Sequence, residues 1–266
     1  LYIDDLEQFL TKAEPELSIA DIRQVTDKVR LAGADNDFAT LHLLFGWMVD
    51  GVQIITEKGE PRTVSLLDFE NWKENNFRVV NQFTVEYADN GQTQNRRPDV
   101  LLFVNGLPLC IMELKNPADE KATIYDAWEQ INIRYWRDIP HLLHYAPLAC
   151  ISDGVKTRLG TVRTPYEHFY AWRRVNSEDK ISTAPYDELI TMVKGVYSPQ
   201  RFLEIFRDYI YFQDSQYDKD EFEIVCRYPQ FFAARLLKDS IIKSVESGTG
   251  KGGTYFGATG CGKTYT

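Results

Sequence analysis

The sequence contains no apolar run approaching the ~18 residues that a membrane-spanning helix needs. Its first residues lack the charged, apolar and small-residue succession of a signal peptide. There is no internal repeat and no low-complexity tract. Cysteine is scarce: Cys110, Cys150, Cys226 and Cys261 form no CxxC pair. Three lie in apolar stretches and one in a glycine loop, which points to reduced thiols and a cytoplasmic home. A positive excess is also missing. Thirty Lys and Arg stand against 39 Asp and Glu, a net charge of −9, so charge gives no argument for a broad nucleic-acid-binding surface.

What is present is the composition of an ordinary soluble globular chain. Its 266 residues are 44% hydrophobic and 26% charged, enough for one large domain, or one domain and part of another, with a real core. The charge is unevenly spread. Residues 121–175 hold eight basic and five acidic residues, whereas 178–223 hold five basic and eleven acidic. The chain opens on Leu1 rather than Met and stops at Thr266, edges expected of a piece of something longer.

The first third reads as helical. Ser18 and Asp21 start an amphipathic stretch carrying Ile19, Ile22, Val25 and Val29, closed by Gly33. Phe38 to Val49 is a second apolar segment, and a short helix is expected from Ser65 to about Lys73. Phe77 to Tyr87 is rich in β-branched and aromatic residues and reads as a strand. Pro98–Val104 and Leu107–Lys115 are apolar runs separated by Asn105-Gly106, a strong hairpin signal. A helix is expected from about Thr123 to Trp136, strands near Leu148–Ser152 and Arg158–Val162, and another helix near Tyr186–Lys194. Helices, a buried sheet, then helices make an α/β layout.

The chemistry concentrates on the hairpin. Residues 107–112 are apolar on both faces, as in a strand covered on each side. Glu113 and Lys115 follow, two apart and so on one face. Charges at the end of such a strand are costly unless paired or bound to a metal. Asp99 begins the neighbouring strand. Two carboxylates converging with a lysine suit phosphodiester hydrolysis: the acids hold Mg²⁺ and the ammonium steadies water or developing charge. Register decides whether they converge. A regular two-residue loop at Asn105-Gly106 pairs Asp99 with Met112 and aims it away from Glu113, so an odd loop or a bulge is expected. The bland alternative is a surface ion pair, Glu113 with Lys115 or Asp99 with Arg97.

Pro98-Asp99 followed by Glu113-Leu114-Lys115 resembles the PD-(D/E)xK nuclease motif. Trp128-Glu129-Gln130-Ile-Asn-Ile-Arg134-Tyr135 resembles the Gln-x-x-x-Tyr element of such nucleases, with four intervening residues here instead of three. An alternative for this helix is simply Ile131 and Tyr135 in the core.

A second motif closes the chain. Gly257-Ala-Thr-Gly260-Cys-Gly262-Lys263-Thr264 fits G-x-x-x-x-G-K-[ST] after a strand-like Thr254–Phe256. In such a loop backbone N–H groups cradle phosphates, the lysine reaches the β and γ groups, and the threonine hydroxyl helps hold Mg²⁺. Gly248 to Gly252 is a decoy, because no Ser or Thr follows Lys251. Upstream, Arg227-Tyr-Pro-Gln230 resembles the setting in which superfamily 2 helicases place an adenine-reading glutamine.

Together these features resemble the N-terminal part of the restriction (R) subunit of type I restriction–modification enzymes. Asn75–Phe83, Arg97–Asp99, Glu113–Pro117 and Arg137–Pro140 carry that family's flavour, and the resemblance covers residues 60–266. It implies a restriction-endonuclease-like core, a mixed central sheet flanked by helices, in residues 1–177. An acidic connector would span 178–221, and a P-loop (RecA-like) helicase domain would begin over 222–266. It implies Asp99, Glu113 and the Leu114 carbonyl as Mg²⁺ ligands, Lys115 assisting the attacking water, and Gln130 with Tyr135 orienting Lys115 or the phosphate. Gly257, Gly260, Gly262, Lys263 and Thr264 would hold ATP phosphates and Gln230 adenine, although this stretch alone would not hydrolyse ATP. The implied partners are double-stranded DNA and separate methylation and specificity subunits, with no membrane. Two rivals stand beside it: a repair-type nuclease–helicase, and an inactive assembly module in which the three charges form a structural network.

Overall fold

The computed structural model describes residues 1–32, 37–119, 122–182, 184, 186–213 and 221–256. Three helices open the chain: α1 (Ile3–Ala13), α2 (Ile19–Arg30) and α3 (Asp37–Asp50). Ser18 starts α2 through the expected capping box, its side chain taking the Asp21 N–H while Asp21 takes the Ser18 N–H. A small hairpin, β1 (Val52–Ile55) with β2 (Pro61–Val64), follows. The helix expected over 65–73 is absent. That stretch is irregular and ends in a 3₁₀ turn, Trp72–Glu74, where Asn75 returns hydrogen bonds to the Asp68 and Trp72 carbonyls.

The expected strand over 77–87 is broken. β3 (Phe77–Asn81) ends at Gln82, whose φ of +52° takes it out of extended conformation. The chain then leaves the main sheet as a separate hairpin, β4 (Val85–Asp89) with β5 (Gln92–Arg96). It returns as β6 (Val100–Val104) and β7 (Leu107–Leu114), joined at Asn105-Gly106. Both turn residues have positive φ, +50° and +81°, as a two-residue hairpin turn requires. A side chain at Gly106 would also strike the Tyr2 carbonyl, which lies 2.1 Å from where a Cβ would sit. Buried Asn105 binds the Leu66 carbonyl, the Asn75 side chain and the Asn76 N–H, tying the turn to the preceding loop.

After β7 come α4 (Ile124–Glu129), a π turn (Gln130–Tyr135), α5 (Trp136–Asp138) and α6 (Pro140–Leu143). Strands β8 (Leu148–Ser152) and β9 (Thr157–Thr161) complete the central sheet. Its order is β3-β6-β7-β8-β9, with β7 and β8 parallel and the other neighbours antiparallel. This is the mixed sheet of a nuclease-like α/β core. Leu101, Phe103, Ile111, Ala149 and Ile151 pack towards α4, the π turn and α6. Leu102, Val104, Leu107, Cys110, Leu148 and Cys150 pack on the other face with α1 to α3. Burial on both faces explains why β6 and β7 read as unbroken apolar runs.

Residues 178–221, expected as an acidic connector, hold α7 (Asp187–Val196), α8 (Pro199–Asp208) and β10 (Ile210–Gln213). Met192, Val196, Phe202, Leu203, Ile205 and Phe206 join the same core as α1 to α3. α7 is the helix expected near Tyr186–Lys194, and the acids of the two helices, Asp187, Glu188, Glu204 and Asp208, are half-buried or exposed while the apolar positions enter the core. β11 (Phe222–Val225) pairs antiparallel with β10, and α9 (Tyr228–Ser247) follows. Residues 254–256 form no strand. Among the described residues no helix is long and apolar enough to cross a membrane.

Candidate active site on the central hairpin

β6 and β7 carry the acids. Their turn has two residues, but the ladder slips: Leu102 faces Cys110 while Phe103 faces Pro108, leaving Leu109 without a partner. This is a β-bulge, and it changes the face of everything beyond it. Val100 faces Met112, so Asp99 comes opposite Glu113. The Asp99 N–H points at Glu113 Oε1 at 3.4 Å. Proline cannot donate to a ladder and sits within sheets at bulges or edges, so Pro108 was a readable signal of this slip.

The Asp99 carboxylate is held at both oxygens. Oδ2 accepts the Leu114 N–H at 2.8 Å and Oδ1 accepts the Gln82 side-chain amide at 2.9 Å. Glu113 is 0% exposed. Its Oε1 accepts the Tyr135 hydroxyl at 2.6 Å, whereas Oε2 is buried without a hydrogen-bond partner. Lys115 Nζ stands 3.9 Å from Oε2, and the Lys115 N–H extends the β7–β8 ladder to the Ser152 carbonyl. Burial raises the Glu113 carboxyl to about 8; Tyr135 and Lys115 oppose this and Asp99 adds to it. Tyr135 is likewise raised, by burial and by the adjacent Glu113.

Thr123 starts α4 with a capping box to Asp126, and the helix carries Gln130 towards Lys115. Gln130 Oε1 accepts from Lys115 Nζ at 2.6 Å and its Nε2 donates to the Tyr135 hydroxyl at 2.8 Å. Lys115, Gln130, Tyr135 and Glu113 thereby form a closed ring. The five-residue step from Gln130 to Tyr135 fits because the turn between them is π-helical. A π turn accommodates one extra residue and brings i and i+5 onto one face. The departure from the three-residue spacing is absorbed by the backbone.

The structure therefore brings together Asp99, Glu113, Lys115, Gln130 and Tyr135. Gln82 joins them and was not foreseen. It is exposed, 17 residues before Asp99, inside the Asn75–Phe83 run that carries the family resemblance, where nothing singled it out from its neighbours. Among the described residues no three His, Cys, Asp or Glu side chains cluster as metal ligands. A cation here would take two carboxylates, the Leu114 carbonyl and water. The orphaned Glu113 oxygen fits that donor set, since hard divalent cations prefer oxygen ligands.

Of the residues expected at the nucleotide, Gln230 alone is among the described ones. Gln230 is buried at the start of α9, where its Oε1 accepts the Arg227 N–H at 2.8 Å. Gly257, Gly260, Gly262, Lys263 and Thr264 lie outside the described residues.

A family model for the type I restriction enzyme R protein N terminus matches residues 5–168. The chain is 32% identical over 247 residues to the putative type I restriction enzyme MjaIXP endonuclease subunit of Methanocaldococcus jannaschii, covering 84% of this chain and 23% of that protein. It is 29% identical over 269 residues to the type I restriction enzyme HindI endonuclease subunit of Haemophilus influenzae, covering 99% and 25%. A third relative, the type I restriction enzyme SauCOLORF180P endonuclease subunit of Staphylococcus aureus, is 28% identical over 206 residues. The matches with the first two span about a quarter of those relatives' lengths.

Proposed function

The chain belongs to the family of the type I restriction enzyme R protein N terminus, and from that membership we propose that it carries the Mg²⁺-dependent nuclease of such an enzyme, hydrolysing phosphodiester bonds of double-stranded DNA. The observation that carries this reading is the buried Glu113 Oε2, left without a hydrogen-bond partner beside Asp99 and Lys115. A carboxyl at 0% exposure with one oxygen lacking a hydrogen bond is expensive, and a site that takes up a cation explains its presence. A divalent ion held by Asp99, Glu113 and the Leu114 carbonyl would supply charge stabilisation of the phosphate and an acidified water.

The residues around it have separable roles. Lys115 donates to Gln130 and keeps its remaining N–H bonds for water or a phosphoryl oxygen. Gln130 fixes that ammonium, and Tyr135 fixes Gln130 and Glu113 together. Because Tyr135 spends its proton on Glu113, the second carboxylate oxygen is the one free to face a cation. The ring is thus preorganised before DNA arrives, the condition under which fixed charges contribute most to a transition state.

In the full protein we place the start of an ATP-driven helicase motor at residues 222–266, with Gly257 to Thr264 on the nucleotide phosphates and Gln230 at adenine. The full protein would translocate DNA using ATP and assemble in the cytoplasm with methylation and specificity subunits. Delegating sequence recognition to another subunit agrees with the lack of a positive excess in these 266 residues, net −9.

The test is DNA cleavage by the complete enzyme, with and without Mg²⁺ and ATP, for wild type and Lys115→Ala. Cleavage should vanish in the variant while ATP turnover persists. Wild-type cutting by Lys115→Ala would remove the role given to this lysine.

A further inference from the structure

Gln82 lies at the point where the chain leaves the central sheet, and Asp99 at the point where it returns. Two hydrogen bonds close that mouth. The Gln82 N–H donates to the Asp99 carbonyl at 3.0 Å, and the Gln82 side-chain amide donates to Asp99 Oδ1 at 2.9 Å. The second bond complements the one from the Leu114 N–H to Oδ2. With both oxygens engaged, the plane of the carboxylate is determined.

The backbone at Gln82 adds an independent observation. Among the described residues, four non-glycine residues have positive φ: Gln82, Asn90, Asn105 and Tyr186. Asparagine and glycine adopt this conformation readily, whereas glutamine does not share that advantage. A position selected for backbone shape alone would favour one of those two. Gln82 is also exposed, so its side chain contributes little to the core. A residue that is unfavourable for its backbone and unneeded for packing, yet bonded to Asp99, has its reason at Asp99.

We propose that Gln82 is a positioning residue for the reaction: its amide and its left-handed backbone together hold the Asp99 carboxylate in the orientation that takes up a divalent cation. The proposal rests on the reading of Asp99 as a cation ligand. Groups that orient a ligating carboxylate tune metal affinity without touching the metal.

The experiment titrates the complete enzyme with Mg²⁺, reading DNA cleavage and ATP turnover in parallel for wild type, Gln82→Gly, Gln82→Asn and Asp99→Ala. Glycine and asparagine both tolerate the left-handed backbone. The first lacks the amide and the second carries it one methylene short, so neither imposes backbone strain. Both should raise the Mg²⁺ concentration for half-maximal cleavage, Gln82→Gly by roughly 10- to 100-fold. High Mg²⁺ should recover cleavage, and the ATP turnover curve should not move. An unshifted midpoint in Gln82→Gly, with Asp99→Ala inactive, overturns the role of Gln82 and leaves the nuclease reading intact. Cleavage that no Mg²⁺ concentration recovers, or a parallel loss of ATP turnover, overturns it too, because either marks a structural role. Wild-type cutting by Asp99→Ala would instead strike the underlying reading.

Discussion

Asp99 faces Glu113 because Leu109, four residues before Glu113 on β7, has no partner across the ladder. One bulged residue turns what would be two acids on opposite faces into a pair. Replacing either acid by its neutral isostere should therefore remove cleavage while preserving the fold. Asp99→Asn and Glu113→Gln are expected to lose at least ~100-fold in cleavage, the scale for deleting one preorganised electrostatic group. Glu113→Gln should not lower the melting temperature, since it removes a buried, partly uncompensated carboxyl and retains an acceptor for Tyr135. Cleavage rates and thermal unfolding, measured on the same preparations, separate the two effects.

The π turn makes a different prediction. Ile133 lies within it, 49% exposed, and so contributes little burial there. Deleting Ile133 should convert the turn to α-helix and place Gln130 and Tyr135 one ordinary turn apart, still on one face. The deletion should keep substantial cleavage, whereas Tyr135→Phe, which removes the hydroxyl and leaves Glu113 with one bond fewer, should lose it at a stability cost of about 1–3 kcal/mol. If the deletion is inactive and Tyr135→Phe active, the ring is not what matters.

These elements differ in how far the sequence announced them. Asn105-Gly106 specified a hairpin, and the unbroken apolar runs on either side specified burial on both faces. Asp99 and Glu113 can share a face only across a bulge or an odd loop, and Pro108 marks where the bulge falls. The extra residue between Gln130 and Tyr135 was visible as a spacing, but spacing alone does not say that a π turn absorbs it. Gln82 lay within the Asn75–Phe83 resemblance but could not be told from its neighbours, because its bond to Asp99 depends on the chain leaving and re-entering the sheet at one place. α7 was expected near Tyr186–Lys194, whereas α8, taken as part of an acidic connector, has an amphipathic pattern whose apolar positions, Phe202 and Phe206 among them, lie in the core.

The glycine loop can be tested apart from the nuclease. Lys263→Ala in the full-length protein should abolish ATP turnover if, as proposed, its ammonium reaches the β and γ phosphates. If cutting follows translocation, cleavage should fail as well, whereas Lys115→Ala should abolish cleavage alone. Nucleotide hydrolysis and DNA cleavage by each variant decide the order. Cleavage that survives Lys263→Ala would uncouple the two.

Glu223 on β11 offers a test in pH. Both of its carboxylate oxygens are buried without a hydrogen-bond partner, while its backbone carbonyl accepts from the Thr161 and Thr164 hydroxyls. Burial holds the carboxyl well above its usual range, against an opposing pull from Thr161 and Arg163. An acid raised in this way keeps its proton in the folded protein after the unfolded chain has released it. The folded state is then favoured least at high pH: this group takes nothing from stability below the ordinary glutamate value and progressively more as pH rises above it. A single retained proton corresponds to about 1.4 kcal/mol per pH unit until the buried carboxyl itself ionises. Glu223→Gln cannot release a proton in either state, so its stability relative to wild type should improve steadily as pH rises from about 4.5. Thermal unfolding of both proteins across that range measures the difference. A constant gap would mean that Glu223 titrates in the folded protein as it does in the unfolded chain.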